Sequence, residues 1–246
     1  MSDDTQQQRT AIRRKAFHYI KEILIDELEN ILKENGITDF DIHSITENSS
    51  AMVATVEVRY KSILETVVDY VSPIITIEFS AMSLDEPYLE QEISTLIHSI
   101  YPDIDNKIKC VFKSVLPERT FLEKIFLLHE EYQKDKPRTK RMSRHLYDLE
   151  KIMDTSFAQS ALQNTDLYET IINHRKKFNN IQGIDYKTHY PDTIQICPPE
   201  NLINNWKDDY EKLQQSFIYE KSKSFSELID RMQELTNRIR KIKINE

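Results

Sequence analysis

Glycine is almost missing from this sequence, which has 2 glycines in 246 residues. Gly36 and Gly183 stand far apart, and neither is followed by serine. Folds that hold phosphate groups with glycine-rich loops need several glycines close together, so those folds are disfavoured. Because glycine weakens helices more than any ordinary residue except proline, its scarcity favours a helical protein.

Cysteine and long apolar runs are also scarce, and basic residues are outnumbered by acidic ones. Two cysteines, Cys110 and Cys197, are too few for a disulfide framework and form no metal-binding pattern. No apolar run reaches transmembrane length, and the N-terminus lacks a signal-peptide core, so we expect a cytoplasmic protein without membrane contact. The formal net charge of −8 argues against a globally basic surface for nucleic acid, but it leaves room for a local basic patch.

The first half of the chain, residues 1–115, has the pattern of an α/β region with a small sheet. Apolar residues at helical spacing predict a helix over residues 11–35 that stops at Gly36. A short helix is also predicted over residues 89–99. Alternating apolar and polar residues predict a strand that begins at Ile42. They predict three further strands, over residues 52–60, 74–79 and 108–115.

The second half, residues 116–246, has helical periodicity almost throughout, and the predicted domain boundary falls near Pro117. A segment rich in proline and aromatic residues, 183–199, predicts an ordered loop. Outside this loop we expect no strand longer than a few residues. Helices are predicted over residues 117–128, 144–149, 158–178, 201–217 and 224–242, the last with Ser224 and Glu227 as a capping box.

A basic connector separates the first two of these helices. Residues 134–144 carry six basic side chains against the single acidic residue Asp135. On a mobile loop such residues would neutralise phosphate groups in a salt-dependent way, although a plain solvated loop explains them equally well. The basic residues are Lys134, Lys136, Arg138, Lys140, Arg141 and Arg144.

The two helices beside the connector carry linked motifs. They are Arg-Thr-Phe-Leu-Glu-Lys at residues 119–124 and Arg-His-Leu-Tyr-Asp-Leu at residues 144–149. Together they resemble the signature of the AbiEii/AbiGii-like nucleotidyltransferase toxins, which belong to type IV toxin–antitoxin and abortive-infection systems. The resemblance continues to the C-terminus and covers most of the chain. One departure is His145, because many relatives have aspartate there.

The resemblance implies a fold, an activity and a set of site residues. The fold would be α+β, the remainder of a polymerase-β-like nucleotidyltransferase domain with a small mixed sheet, followed by a helical domain. The activity would be Mg²⁺-dependent transfer of a nucleotide from an NTP to an acceptor such as RNA, opposed by a cognate antitoxin. By the same resemblance Lys124 and Asp148 would be catalytic, with Lys124 on the triphosphate and Asp148 as a candidate metal ligand. The basic connector adds Arg141 and Arg144 as candidate phosphate-binding residues. The position of Glu78 near the end of a predicted strand makes it a second candidate metal ligand of such a fold.

Each of these residues also has a purely structural interpretation. Glu78 could be a solvent-side residue of a half-exposed strand. Lys124 could be a surface lysine whose stem lies along apolar neighbours. Asp148 could simply pair with Arg144 across one helical turn, an arrangement worth about 0.3–0.5 kcal/mol when it is exposed.

The family's Gly-Ser turn and Asp-x-Asp pair are missing from this sequence. Two other Asp-x-Asp triplets occur, at residues 39–41 and 103–105, but neither follows a Gly-Ser turn, and ordinary turn aspartates explain both. We therefore expect the chain to begin after the family's metal-binding hairpin and to be catalytically inert or nearly so. The alternative function is a non-catalytic nucleotide- or partner-binding protein derived from the family.

Overall fold

The computed structural model divides the chain into two compact units, Met1–Ser83 and Leu84–Glu246. Compact units need not coincide with evolutionary domains, so the predicted division into residues 1–115 and 116–246 stays a prediction. In the part of the chain that the structure describes, no helix combines the length and apolar character needed to cross a membrane. The described residues are 5–62, 72–81, 83–84, 87–103 and 110–244.

The first unit begins with one continuous helix of three segments. These are α1 (Gln6–Tyr19), a π-helical turn (Ile20–Leu24) and α2 (Ile25–Glu34). Thr5 starts the helix early because it forms a capping box with Gln8. The helix ends at Asn35, and Gly36 follows with a φ of 79°, a left-handed conformation that glycine adopts without strain. The predicted helix and its stop are confirmed.

A three-stranded antiparallel sheet completes the first unit. Its strands are β1 (Phe40–Ser44), β2 (Ala54–Tyr60) and β3 (Ile74–Phe79), in the order β1-β2-β3. Buried and more exposed residues alternate along β2, as in a sheet with one buried face. On the buried face, Ala54 and Val56 pack against the helix residue Ile20. Glu78 faces the other side, where it is exposed opposite Thr55.

The second unit has a two-stranded antiparallel sheet where the sequence predicted a helix over residues 89–99. Strand β4 (Tyr88–Ile93) pairs antiparallel with β5 (Cys110–Val115), and the helix α3 is confined to Leu96–Ile100. The helix prediction was wrong for residues 89–93, because the strand partner β5 lies in a distant segment of the sequence. In this pairing Lys113 lies opposite Glu90. The described strands thus form two antiparallel sheets in place of one mixed sheet, while the α+β class is confirmed.

The rest of the second unit is helical, as predicted. No strand occurs between residues 116 and 244, and the loop over 183–199 holds only a 3₁₀ turn, Tyr186–Thr188. Ser224 and Glu227 form the predicted capping box. The helices are α4 (Pro117–Tyr132), α5 (Ser143–Ile152), α6 (Ser156–Gln163), α7 (Thr165–His174) with a π-helical end (Arg175–Asn179), a 3₁₀ turn (Glu200–Leu202), α8 (Ile203–Ser216) and α9 (Phe225–Ile239).

Helix α4 is the central element of the second unit. Several of its apolar residues are fully buried, among them Phe121, Leu122, Ile125 and Phe126. Helices α5, α6 and α7 all pack on α4. Because so much of its circumference is buried, α4 has one rotational setting, and that setting determines where each of its polar side chains points.

Candidate functional site

Lys124 and Asp148 meet across the groove between α4 and α5. The Lys124 Nζ donates a hydrogen bond to Asp148 Oδ2 at 2.7 Å, although 24 residues separate the two. Their side chains remain 21% and 38% exposed, so the pair lies at the surface of the unit and small molecules could reach it. Asp148 therefore pairs with Lys124, and the alternative pairing with Arg144 does not occur among the described residues.

Buried neighbours hold the two partners in place. Lys124 lies one turn from the fully buried Leu128 and next to the fully buried Ile125. Asp148 precedes the fully buried Leu149 on α5. The two motif helices are thus set by core packing, and their polar side chains meet at the edge of that core. The catalytic and phosphate-binding roles predicted for Lys124 stay predictions. So do the catalytic and metal-binding roles predicted for Asp148.

His145 lies beneath this pair and is only 9% exposed. Burial, together with the positive charges of Lys124 and Arg144, lowers the pKa of His145 to about 4. The ring is therefore neutral at pH 7, and its Nδ1 finds no hydrogen-bond partner among the described residues. An aspartate at this position would carry a negative charge beside Lys124. Neutral His145 leaves Asp148 as the carboxylate that Lys124 contacts.

The first half of the connector is anchored by Glu131, which is 1% exposed. Its carboxylate accepts hydrogen bonds from the Arg138 backbone at 2.7 Å, from the Arg138 guanidinium at 2.8 and 3.0 Å, and from Lys134 at 2.8 Å. Burial by itself would raise the pKa of Glu131, but the hydrogen bonds from Arg138 and Lys134 lower it below its usual value. Two of the six connector cations are thus paired with this carboxylate.

The second half of the connector is anchored by Asp209 of α8. Its carboxylate accepts from the Arg141 backbone at 2.6 Å, and from the backbone and hydroxyl of Ser143 at 3.0 and 2.5 Å. Arg141 adopts a φ of 60°, which lets the chain turn sharply into α5. The connector is therefore held near both ends by hydrogen bonds to buried carboxylates.

The anchoring leaves Arg144 exposed next to the Lys124–Asp148 pair. Arg144 forms no ion pair with any residue that the structure describes. Arg141 is exposed too, at the point where the connector enters α5. The phosphate-binding roles predicted for Arg141 and Arg144 stay predictions.

A buried charge network behind α4 was not predicted from the sequence. The Arg175 guanidinium donates to both oxygens of Glu130, at 2.8 and 2.6 Å, and also contacts Glu123. The His189 ring lies 3.2 Å from Glu130 and is fully buried. The missed signal was Glu130, which follows Phe126 by four residues on an apolar face of α4.

The candidate metal ligands Glu78 and Asp148 belong to different compact units, and their metal-binding roles stay predictions. Glu78 belongs to the first unit, where it is exposed on the polar face of the sheet. Of the two Asp-x-Asp triplets, residues 39–41 enter β1, where Asp41 lies 3.1 Å from His43. In the second triplet only Asp103 is described, because Ile104 and Asp105 lie outside the described residues. Across the described ranges, no three His, Cys, Asp or Glu side chains are arranged to hold a metal ion.

Comparison with known proteins gives one family. A family model described as "Nucleotidyl transferase AbiEii toxin, Type IV TA system" matches residues 10–231. The match covers about nine-tenths of the chain and contains both motif helices, the connector and the network around Arg175. Comparisons with curated proteins and with solved structures gave no significant match.

Proposed function

Because the chain belongs to the family of AbiEii nucleotidyltransferase toxins of type IV toxin–antitoxin systems, we propose that it binds a nucleoside triphosphate at Lys124 and transfers a nucleotide to an RNA acceptor. We expect this transfer to be slow, because the family's Gly-Ser turn and Asp-x-Asp pair are missing from the sequence. The observation that carries this proposal is the contact of 2.7 Å between Lys124 and Asp148. It joins the two family motifs at one accessible place. A cognate antitoxin is the protein partner that the family implies, and the cytoplasm is the expected location.

Side chains would hold the triphosphate in this site. Lys124 supplies an ammonium, and Arg144 supplies an exposed guanidinium whose planar fork suits phosphate oxygens. Arg141, also exposed, would add a third cation. The N-terminus of α5 is not available as a phosphate site, because the Asp209 carboxylate already accepts from the backbone N–H groups there. The positive side chains would therefore position the substrate.

Asp148 has two parts in this proposal. Without substrate it holds the Lys124 ammonium in a fixed direction. When a phosphate oxygen replaces Asp148 as the acceptor of the Lys124 ammonium, the Asp148 carboxylate is free to accept a proton or to contact the substrate. Mg²⁺ follows from the family alone, with Glu78 and Asp148 as the candidate ligands. The described residues do not provide a complete metal site by themselves.

A second function is favoured by one specific observation. No three metal-ligating side chains come together in the described part of the chain, and the sequence has no Gly-Ser turn. The protein would then bind nucleotide at Lys124 without transferring it, or would bind a partner. Both functions require the same positive site, and they differ in whether a covalent product forms.

The Lys124→Met variant tests the proposed function. The protein is incubated with Mg²⁺, labelled NTPs and total RNA, and label in the RNA is measured alongside calorimetric binding of NTP. We expect Lys124→Met to reduce label transfer at least about 100-fold, since it removes a charge that would act on the transferring phosphates. Lys207→Met, a change at an exposed lysine of α8, should leave it unaltered.

The outcomes separate the two functions. NTP binding that requires Lys124, without transfer by the unaltered protein, would establish the non-catalytic alternative. If NTP bound equally well to the unaltered protein and to Lys124→Met, neither function would stand at this site.

A further inference from the structure

The first helical segment, α1, and the turn that follows it carry a concentration of positive charge. From Thr5 to Lys21 the sequence has five Lys or Arg and no acidic residue, in a chain whose formal net charge is −8. The acidic residues of the long helix lie in the π-helical turn and α2, beginning at Glu22. Isolated surface charges need no explanation, but this separation of sign along one helix creates a local positive field.

Four of the positive or titratable residues form an exposed surface, which we call the basic stripe: Arg14, Lys15, His18 and Lys21. Arg14, His18 and Lys21 follow each other at spacings of four and three residues, so they lie along one side of the helix. The core-facing side carries Phe17 and Ile20, which pack against the sheet of the first unit. The basic stripe is therefore turned away from the core.

Among the described residues, the cations of the basic stripe are not paired with carboxylates. Arg14, Lys15 and Lys21 form no hydrogen bond or ion pair with residues in the described ranges. In α2, by contrast, Lys33 pairs with Glu29 at 2.5 Å. Unpaired cations in a row keep their full charge for an external anion. A polyanion that contacts them gains free energy because its condensed counterions are released.

We propose that the basic stripe is a docking surface for the phosphate backbone of RNA. Arg14 and Lys21 are about 10 Å apart along the helix axis at the usual rise of 1.5 Å per residue, a span that covers a few backbone phosphates. Tyr19, which is 47% exposed, offers a ring on which a base can stack beside these charges. The choice of RNA among polyanions rests on the proposed function, whereas the positive surface does not.

A triple substitution tests this docking surface. We compare the unaltered protein with Arg14→Gln/Lys15→Gln/Lys21→Gln, using a labelled single-stranded RNA in EDTA without NTP, at several salt concentrations. The variant should bind at least about tenfold more weakly near 0.1 M salt. The slope of log affinity against log salt should become shallower by about 2, since three phosphate contacts on a single strand are lost at about 0.7 each.

The matched control is Lys207→Gln/Lys212→Gln/Lys241→Gln, which makes the same charge change at exposed lysines of the second unit. Circular dichroism verifies that all variants are folded. The proposal is overturned if the control weakens RNA binding as much as the stripe variant does. It is also overturned if the stripe variant keeps its RNA affinity and salt slope. The same holds if the variant keeps its RNA binding but loses binding to an acidic protein. A stripe effect without any nucleotide transfer would leave this proposal standing while the proposed function failed.

Discussion

At the scale of single residues, Asp148 occupies the position on Lys124 that a phosphate oxygen would take. A carboxylate oxygen at 2.7 Å from the ammonium has the charge and the distance of such a ligand. The Asp148 side chain is 38% exposed, so it can turn away without disturbing the core. Asp148 should therefore compete with phosphate for Lys124 whenever no metal ion is present to bridge the two anions.

This competition can be measured with inorganic tripolyphosphate in EDTA. Asp148→Asn should bind it about two- to fivefold more tightly than the unaltered protein, because a partly exposed ion pair is worth up to about 1 kcal/mol. The gain should vanish in the Lys124→Met background, which makes a double-mutant cycle. Glu150→Gln removes a charge two residues further along α5 and serves as the control. An equal gain in Glu150→Gln would show that net charge alone is responsible.

At the scale of elements, the connector between α4 and α5 owes its shape to two acidic side chains from its surroundings. Glu131 holds Arg138, and Asp209 holds the backbone of Arg141 and Ser143. Asp209 is 7% exposed and accepts three hydrogen bonds. These bonds determine where α5 begins, and with it where Arg144 stands relative to Lys124.

Asp209→Ala should therefore destabilise the protein by about 3 kcal/mol. The change leaves the donors of Ser143 buried without a partner, and lost hydrogen bonds to a charged group cost about 1.5–3 kcal/mol. Urea unfolding measures the effect. The control is Asp208→Ala at the neighbouring exposed position, which should change stability by less than about 0.5 kcal/mol. Similar losses in both variants would contradict the anchoring role of Asp209.

At the scale of the whole molecule, the two compact units differ in how many of their described apolar residues are buried. The first unit buries Ile20, Ala54 and Val56 against a handful of partly buried neighbours. The second buries α4 on several sides, together with Trp206 and Tyr210 of α8. Since apolar burial is the main source of folding free energy, the first unit should be the less stable one.

The single tryptophan makes this difference measurable. Trp206 is fully buried in the second unit, so its fluorescence reports on that unit alone, while circular dichroism reports on the helices of both units. In urea we expect the dichroism signal to begin falling before the fluorescence changes. Coincident transitions by the two probes would mean that the two units unfold as one.

Elements whose signals are local could be predicted from the sequence. Residues 74–79 show the alternation of a strand and form one, and Pro117 marks the start of α4, as predicted. The capping box of Ser224 and Glu227 was also predictable, because its partners are three residues apart. The two motifs identified the family for the same reason, since each is contained in a single helical turn or two.

Tertiary structure decided everything that depends on distant partners. Residues 88–93 form a strand only because β5 supplies its hydrogen bonds, and Arg175 is buried only because Glu130 and Glu123 receive it. The contact between Lys124 and Asp148 requires α4 and α5 to pack in one orientation across an intervening connector. Periodicity reports which face of an element is apolar, but it carries no information on which other element that face will meet.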